Sequence, residues 1–393
     1  MINLKDRIDS HHSPAKADCE TALLQKNHPV STREQFILIT GGCGFFGANL
    51  ADRLLRMRQN VLVFDNLSRP ASASNGRRLK KLHGERVHIR VEDIRDRTAL
   101  RQAVRSARQV FHLAGQSSVT ASLTNIRSDF ENNVVGTLNL LEELYALTNP
   151  PPLVVASSSN VYAPLEDGDL TVNGNRYEPV DTSPCHRGVS ENHPLNFHTP
   201  FGCSKGSADQ YVMDFARTFG LRNVVLRLSD VYGPHQLEMD DLGWVAHFLI
   251  STIEDQPIVV YGDGRQVRDI LFIDDLVDAL LLAQSNIEQL AGQAVNIGGG
   301  PDNSISQLEM IELIEQLAGK KSLVCYDQNR LGDQRYYVSD NGKFGSATGW
   351  RPKVDVHQGV ERLYRWLTGT RKPLVSFYRL IKRKSENRCQ VVL

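Results

Sequence analysis

Three glycines spaced Gly41-x-x-Gly44-x-x-Gly47 follow directly on the apolar run Phe36-Ile37-Leu38-Ile39-Thr40. They open a segment in which Leu50, Leu54 and Leu55 recur at helical spacing. Few architectures accept that order. Glycines between a buried strand and a helix permit a tight turn whose backbone can approach a pyrophosphate lying at the helix N-terminus. An acid, Asp65, closes the next apolar run, Val61 to Phe64. A carboxylate there suits the paired hydroxyls of an adenosine ribose and repels a 2′-phosphate, so NAD is expected rather than NADP. A flavodoxin-like glycine turn with an incidental acid is the plainer alternative, and it explains fewer of these features.

Further apolar runs follow at Val87–Val91, Val110–Leu113, Leu153–Ala156 and Val224–Leu228, with a helical pattern at Val134, Leu138, Leu141 and Leu144. Continuous apolar strands alternating with amphipathic helices mean a parallel sheet covered on both faces. The expected fold class is α/β, a doubly wound Rossmann sheet. A length of 393 residues exceeds one ordinary domain. A smaller, interleaved C-terminal substrate domain is therefore expected over 229–368, after a nucleotide-binding domain over 35–228. In the second half Ile258–Tyr261 and Ile270–Ile273 read as strands and Asp274–Ala283 as a helix. Ser304-x-x-Gln307 has capping-box form before Ile311, Leu313, Ile314 and Leu317. The polar stretch 163–199 shows no periodicity and reads as a covering insert. Residues 1–34 read as a disordered extension, and 369–393 as a basic tail with Leu374, Phe377, Leu380 and Ile381 at rough helical spacing.

Composition removes several function classes. Lys plus Arg equals Asp plus Glu at 45 each, so no global field draws the chain to nucleic acid. The six cysteines, Cys19, Cys43, Cys185, Cys203, Cys325 and Cys389, form no CxxC pair, and no metal site is expected. His11 and His12 read as solvated, Cys43 as buried filler, and Cys389 stands one residue too far from the end for prenylation. No apolar run approaches the ~20 residues of a membrane span, and the first residues lack the apolar core of a secretory signal. A cytoplasmic protein without an integral membrane segment is expected.

The motifs Thr40–Gly47, Phe111-His-Leu-Ala-Gly-Gln116, Asn133-Val-Val-Gly-Thr-Leu-Asn139, Ser157-Ser-Ser-Asn-Val-Tyr162 and Ser204-Lys205 stand in this order. Together they resemble the extended short-chain dehydrogenase/reductases that act on sugar nucleotides, over about Phe36 to Trp366. Within that superfamily the chain is most similar to the CDP-paratose (CDP-tyvelose) 2-epimerase family. That similarity rests on Asp65-Asn-Leu-Ser-Arg69, Gly202-Cys-Ser-Lys-Gly-Ser-Ala-Asp-Gln-Tyr211, Gly243-Trp244, Gln266-Val-Arg-Asp269 and Asp333-Gln-Arg335. The resemblance implies NAD bound by Gly41, Gly44, Phe45, Phe46, Gly47, Asp65, Asn66, Asp93, Ile94, Leu113, Ala114 and Lys205, with Asp93 meeting the adenine amine. It also implies a nucleotide-diphosphate sugar held by Asn160, Asp230, Arg268, Arg330 and Arg335, and a homodimer formed through two helices of the sheet layer.

Catalysis in that family rests on a Ser or Thr, here Ser158, and on a Tyr-x-x-x-Lys pair, here Phe201 and Lys205. The tyrosine is a phenylalanine. A phenyl ring cannot take a hydroxyl proton, and a general base is worth about 10²–10⁴ in rate. Ser158, Tyr162, His198, Cys203 and Asp230 are the candidate replacements, and Asp230 is itself a departure, since the family often has Asn there. Two functions follow. One is an epimerase that transiently oxidises a ring carbon of a nucleotide-diphosphate sugar, with a 4-epimerase or 4,6-dehydratase as variants. Ser158-Ser159-Asn160 carries no Asp-Glu pair for elimination, which disfavours the dehydratase. The other function is a protein that binds both ligands without turning them over.

Overall fold

The computed structural model describes residues 35–165, 167–181, 188–236 and 243–369. The terminal extensions, with His11, His12, Cys19, Cys389 and the 371–381 pattern, and also Cys185, lie outside the described residues. Seven parallel strands form the main sheet: Phe36–Thr40, Val61–Asp65, Val87–Val91, Ala107–His112, Leu153–Ser158, Asn223–Leu228 and Gln293–Ile297. Counted in chain order they lie side by side as 3-2-1-4-5-6-7, the doubly wound arrangement whose ligand crevice opens where the order reverses. That point is between Phe36–Thr40 and Ala107–His112. Successive residues of one strand feed opposite cores. Ile37 and Ile39 pack with Leu50, Leu54 and Val63, while Phe36 and Leu38 pack with Leu62, Leu140 and Leu144. Alternate side chains point to alternate faces, so a strand apolar throughout is one buried on both sides.

Beyond the sheet, Val267–Phe272 pairs with Asp230–Tyr232, Ser304–Ser306 and Tyr336–Tyr337. Ile258–Tyr261 pairs with Val324–Asp327. Helices Trp244–Ile253, Gln307–Ala318 and Val356–Gly369 surround these small sheets. The capping box falls two residues later than expected. Ser304 is in a strand paired to Asp269, so the cap is Ser306, which accepts from the Glu309 N–H while Glu309 accepts from the Ser306 N–H. Ile273 starts the helix Ile273–Ser285 instead of ending a strand. Inside the 163–199 insert a hairpin pairs Leu170–Asn173 with Arg176–Pro179. Its residues are exposed or half-buried, and without a buried face there is no hydrophobic alternation to read. The seventh strand, Gln293–Ile297, carries a polar Asn296 inside, and its buried amide donates to the Val189 carbonyl and accepts from Tyr162 Oη.

Candidate active site

The glycine turn is shaped by close approach. Gly41 has φ +67°, and a Cβ there would lie 2.6 Å from the Ala114 nitrogen on the neighbouring strand end. A Cβ on Gly47 would lie 2.3 Å from the Gly41 carbonyl oxygen. Helix Phe45–Arg56 begins at Gly44 with no side chain capping its first N–H groups, which leaves oriented donors and the positive helix end facing the crevice. Asp65 accepts from the backbone N–H of Cys43 at 3.0 Å and of Leu67 at 2.9 Å. Burial raises its carboxyl above the usual range, against the pull of these bonds and of Arg69. Cys43 is fully buried filler whose thiol burial pushes well up. Asp93, expected to meet an adenine amine, instead gives its oxygens to Arg95 at 2.8–2.9 Å and to Asn66 at 2.9 Å. Arg95 first, then Asn66, holds it down at about 2 despite burial, and the wall beside it is made by Glu92, Ile94 and Arg95.

Where the sheet order reverses, polar side chains lock the backbone. Thr137 spends its hydroxyl proton on the Asn133 carbonyl at 2.6 Å. Its oxygen therefore accepts from His112 Nε2 at 2.9 Å, and His112 Nδ1 accepts from the Thr40 hydroxyl at 2.7 Å. Burial, then Lys205, holds this imidazole neutral down to about 3. Asn133 sits on a π-turn, Glu131–Val135, a feature that often marks functional sites. It accepts from the Gln116 N–H and donates to Ser204 Oγ.

The three positions that the resemblance names, Ser158, Phe201 and Lys205, come together on the next two elements. Helix Thr199–Phe219 starts at Thr199, a β-branched residue at φ 70° whose Oγ1 accepts from the Gly202 N–H at 3.3 Å. Such backbone strain in a non-glycine residue is costly and concentrates at functional sites. Phe201 is buried, its N–H donating to Ser122 Oγ. One turn on, Lys205 Nζ donates to the Ala156 carbonyl at 2.8 Å. Burial lowers it to about 8, with Asp129 and Asp209 opposing. Ser158 Oγ accepts from the backbone and side-chain N–H of Asn160 at 3.2 and 3.1 Å. Tyr162 is spent elsewhere: its phenol donates to Asn296 at 2.7 Å and accepts from Arg227, which is paired with Asp209 at 2.8 Å. His198 and Cys203 are not among the cavity's lining residues.

One cavity of about 1180 Å³ joins these groups, more than the 300–1,000 Å³ usual for a single small ligand. Its lining also includes Arg268 and Arg330, with Asp230 two residues beyond the strand partner of Ser158. Trp244 Nε1 donates to Asp230 Oδ2 at 2.7 Å, and the Arg330 guanidinium carbon lies over the Tyr261 ring, 3.6 Å from its centre. Arg335 departs from expectation. Its guanidinium sits over Tyr177 of the hairpin, 5.5 Å from the ring centre, rather than in the cavity lining. Trp244, His247, Tyr261 and Ser157 line the cavity without having been singled out from sequence. Ser157 Oγ is buried with no hydrogen-bond partner. The Gly243-Trp244 and Ser157–Tyr162 motifs pointed toward two of them. Among the described residues no cluster of three or more His, Cys, Asp or Glu could hold a metal, and no helix is long and apolar enough to cross a membrane.

A Rossmann crevice joined to an arginine-bearing second lobe defines a nucleotide-sugar enzyme fold, and the chain belongs to the NAD dependent epimerase/dehydratase family, whose model matches residues 37–298. A CDP-paratose 2-epimerase of Salmonella typhi is 39% identical over 338 residues, 84% of this chain and 98% of that protein. Among solved structures, a UDP-glucuronic acid 4-epimerase from Bacillus cereus, in complex with UDP-glucuronic acid and NAD, matches with TM-score 0.74 at 25% identity. It covers 86% of this chain and 100% of its own. A dTDP-glucose 4,6-dehydratase from Streptomyces venezuelae with NAD bound has the same TM-score and coverage at 26% identity.

Proposed function

We propose that this chain is an NAD-dependent epimerase that inverts one ring carbon of a nucleotide-diphosphate sugar, with a CDP-linked deoxysugar as the leading substrate. The observation that carries this reading is the single cavity running from the glycine turn and Asp65, past Ser158, Phe201 and Lys205, to Arg268 and Arg330. The uncapped helix end and the crowded Gly41 fit a dinucleotide pyrophosphate, and Asp65 fits the ribose hydroxyls of NAD. Bound NAD would accept the hydrogen of the ring carbon and return it. Lys205 would hold the nicotinamide ribose, Ser158 would orient the sugar hydroxyl, and the guanidinium forks of Arg268 and Arg330 would take diphosphate oxygens. The nearness to the Salmonella CDP-paratose 2-epimerase supports the CDP-linked substrate.

A second reading, binding without turnover, is favoured by one observation, the apolar Phe201 beside Lys205. Incubation with CDP-, UDP- and dTDP-sugars followed by carbohydrate NMR separates the two. Epimer from one of them, with no net NADH, is expected; tight binding of both NAD and sugar nucleotide without any product would establish the binder instead. A 4,6-dehydratase would give a keto-deoxy sugar.

We also propose a homodimer through the outer face of the helices around Gly136–Tyr145 and Thr199–Phe219. Phe130, Tyr145, Tyr211 and Phe219 are each more than 40% exposed there, with Tyr145 and Phe219 in ring contact at 4.9 Å. Exposed aromatic clusters of this kind mark association surfaces.

A further inference from the structure

We propose that Asp230 is the group that takes the sugar hydroxyl proton in place of the missing phenol. This rests on the epimerase reading above and names the acid–base residue of that same site.

Four carboxylates line the cavity among the described residues: Asp65, Glu92, Asp230 and Asp333. Asp65 closes the second strand and Glu92 follows the third, at the end of the cavity remote from Arg268. Asp333 is exposed on the loop after Gly332. Asp230 alone is at the mouth of the central strands. The strand carrying Ser158 pairs in register with Leu228, and the chain reaches Asp230 two residues later. Two sequence departures coincide in this one cavity: at 201 a proton acceptor is lost, and at 230 a carboxylate stands where the resembled family often has a neutral amide.

Apart from Ser157, an alcohol that is no base without a partner to take its own proton, the other groups are committed. Tyr162 has its phenol in the Asn296–Arg227 network. Lys205 points its ammonium at the Ala156 carbonyl. Tyr261 lies beneath Arg330, and Ser158 accepts twice from Asn160. His247, one helical turn beyond Trp244, lines the cavity but is farther along its helix from the strand ends.

Asp230 is equipped for the task. The Trp244 indole fixes Oδ2 at 2.7 Å, so the carboxylate is oriented and Oδ1 is the oxygen left to act. Arg268 faces it from the strand Val267–Phe272, Asp333 from its loop, and Trp244 from the helix Trp244–Ile253. Burial raises the carboxyl above its ordinary range, Arg268 and Trp244 pull it back, and Asp333 adds to the rise. A base is most effective when its affinity for protons lies nearer the working pH. In the step, the sugar O–H breaks and its proton passes to Oδ1. The electron pair of that O–H bond forms the carbonyl, and NAD, when bound, would supply the acceptor for the C–H hydrogen and its electron pair. On return every transfer reverses on the opposite face, so no proton or electron is consumed.

The experiment uses the NAD-loaded full chain as wild type, Asp230→Asn, Asp230→Asn/Phe201→Tyr and His247→Gln, with single-turnover rates on the sugar nucleotide that the wild type converts. Asp230→Asn should lose 10²-fold or more in rate while calorimetry keeps its sugar-nucleotide affinity within about threefold. Adding Phe201→Tyr should recover at least tenfold over Asp230→Asn, which a merely structural role for Asp230 would not give. Independently of turnover, infrared difference spectra of the protein between pH 4 and 8 should contain the carbonyl stretch of a buried carboxylic acid that Asp230→Asn removes. Asp230→Asn at near wild-type rate, or a 10²-fold loss in His247→Gln instead, overturns the assignment and leaves the epimerase reading standing. Wild type inert on every sugar nucleotide that it binds overturns both.

Discussion

At the scale of single residues, His112 links burial to acid sensitivity. It is neutral and fully hydrogen-bonded when folded, with its protonation depressed to about 3, against about 6.5 in the unfolded chain. Between those values the unfolded state binds the extra proton. Stability is therefore fully present above pH 6.5 and falls as pH drops toward 3, by at most ~1.4 kcal/mol per pH unit from this group. Urea unfolding of His112→Asn at several pH values should show a shallower acid slope than wild type, from a lower starting stability. The ligand end offers its own residue tests. Asp65→Ala should relax the preference for NAD over NADP in direct titration, because the carboxylate that repels a 2′-phosphate is gone. Arg268→Ala should weaken sugar-nucleotide binding by about 1.5–3 kcal/mol, the worth of a hydrogen bond to a charged group, with NAD affinity unchanged. Equal losses for both ligands would assign Arg268 a folding role.

At the scale of elements, the strands and glycine turn were legible because a strand covered on both faces has no polar positions to hide it. Phe36–Thr40 and Val61–Asp65 are buried along their whole length. The same logic explains what was not legible. Gln293–Ile297 is buried from Ala294 onward, yet its Asn296 breaks the apolar run and is satisfied by Tyr162 and Val189, over a hundred residues away, and by Asp340. The hairpin Leu170–Pro179 buries no face, and the capping box shifted because a strand claimed Ser304. Arginine positions failed similarly: Arg268 and Arg330 reach the cavity, but Arg335 stacks on Tyr177 because the hairpin, invisible in the pattern, supplies that ring. The glycine turn yields a comparison of two substitutions. Gly84 and Gly41 have φ +58° and +67°, but a Cβ at Gly84 meets nothing within 4 Å, while at Gly41 it meets three backbone atoms within 2.7 Å. Gly84→Ala should cost only the strain of its own unusual backbone conformation, φ +58° and ψ −129°, about 1–3 kcal/mol. Gly41→Ala should cost more by thermal unfolding and abolish NAD binding, since Leu113 and Ala114 must move.

At the scale of the whole molecule, residues of the central sheet and of the small sheets line one cavity, and Phe130, Tyr145, Tyr211 and Phe219 are exposed on the helices. Tyr145→Glu combined with Phe219→Glu should convert a dimer to a 44.0 kDa monomer by light scattering without loss of NAD. A wild type already monomeric at micromolar concentration would remove that face as an interface. We propose that inversion proceeds by oxidation and return at one ring carbon. Its most direct test is to run the epimerisation in D₂O and read the inverted carbon by proton NMR. Transient oxidation returns the hydrogen that left, so the product should carry protium there and no net NADH should accumulate. Deuterium at that carbon would mean removal and replacement of a proton by solvent, and would contradict the account.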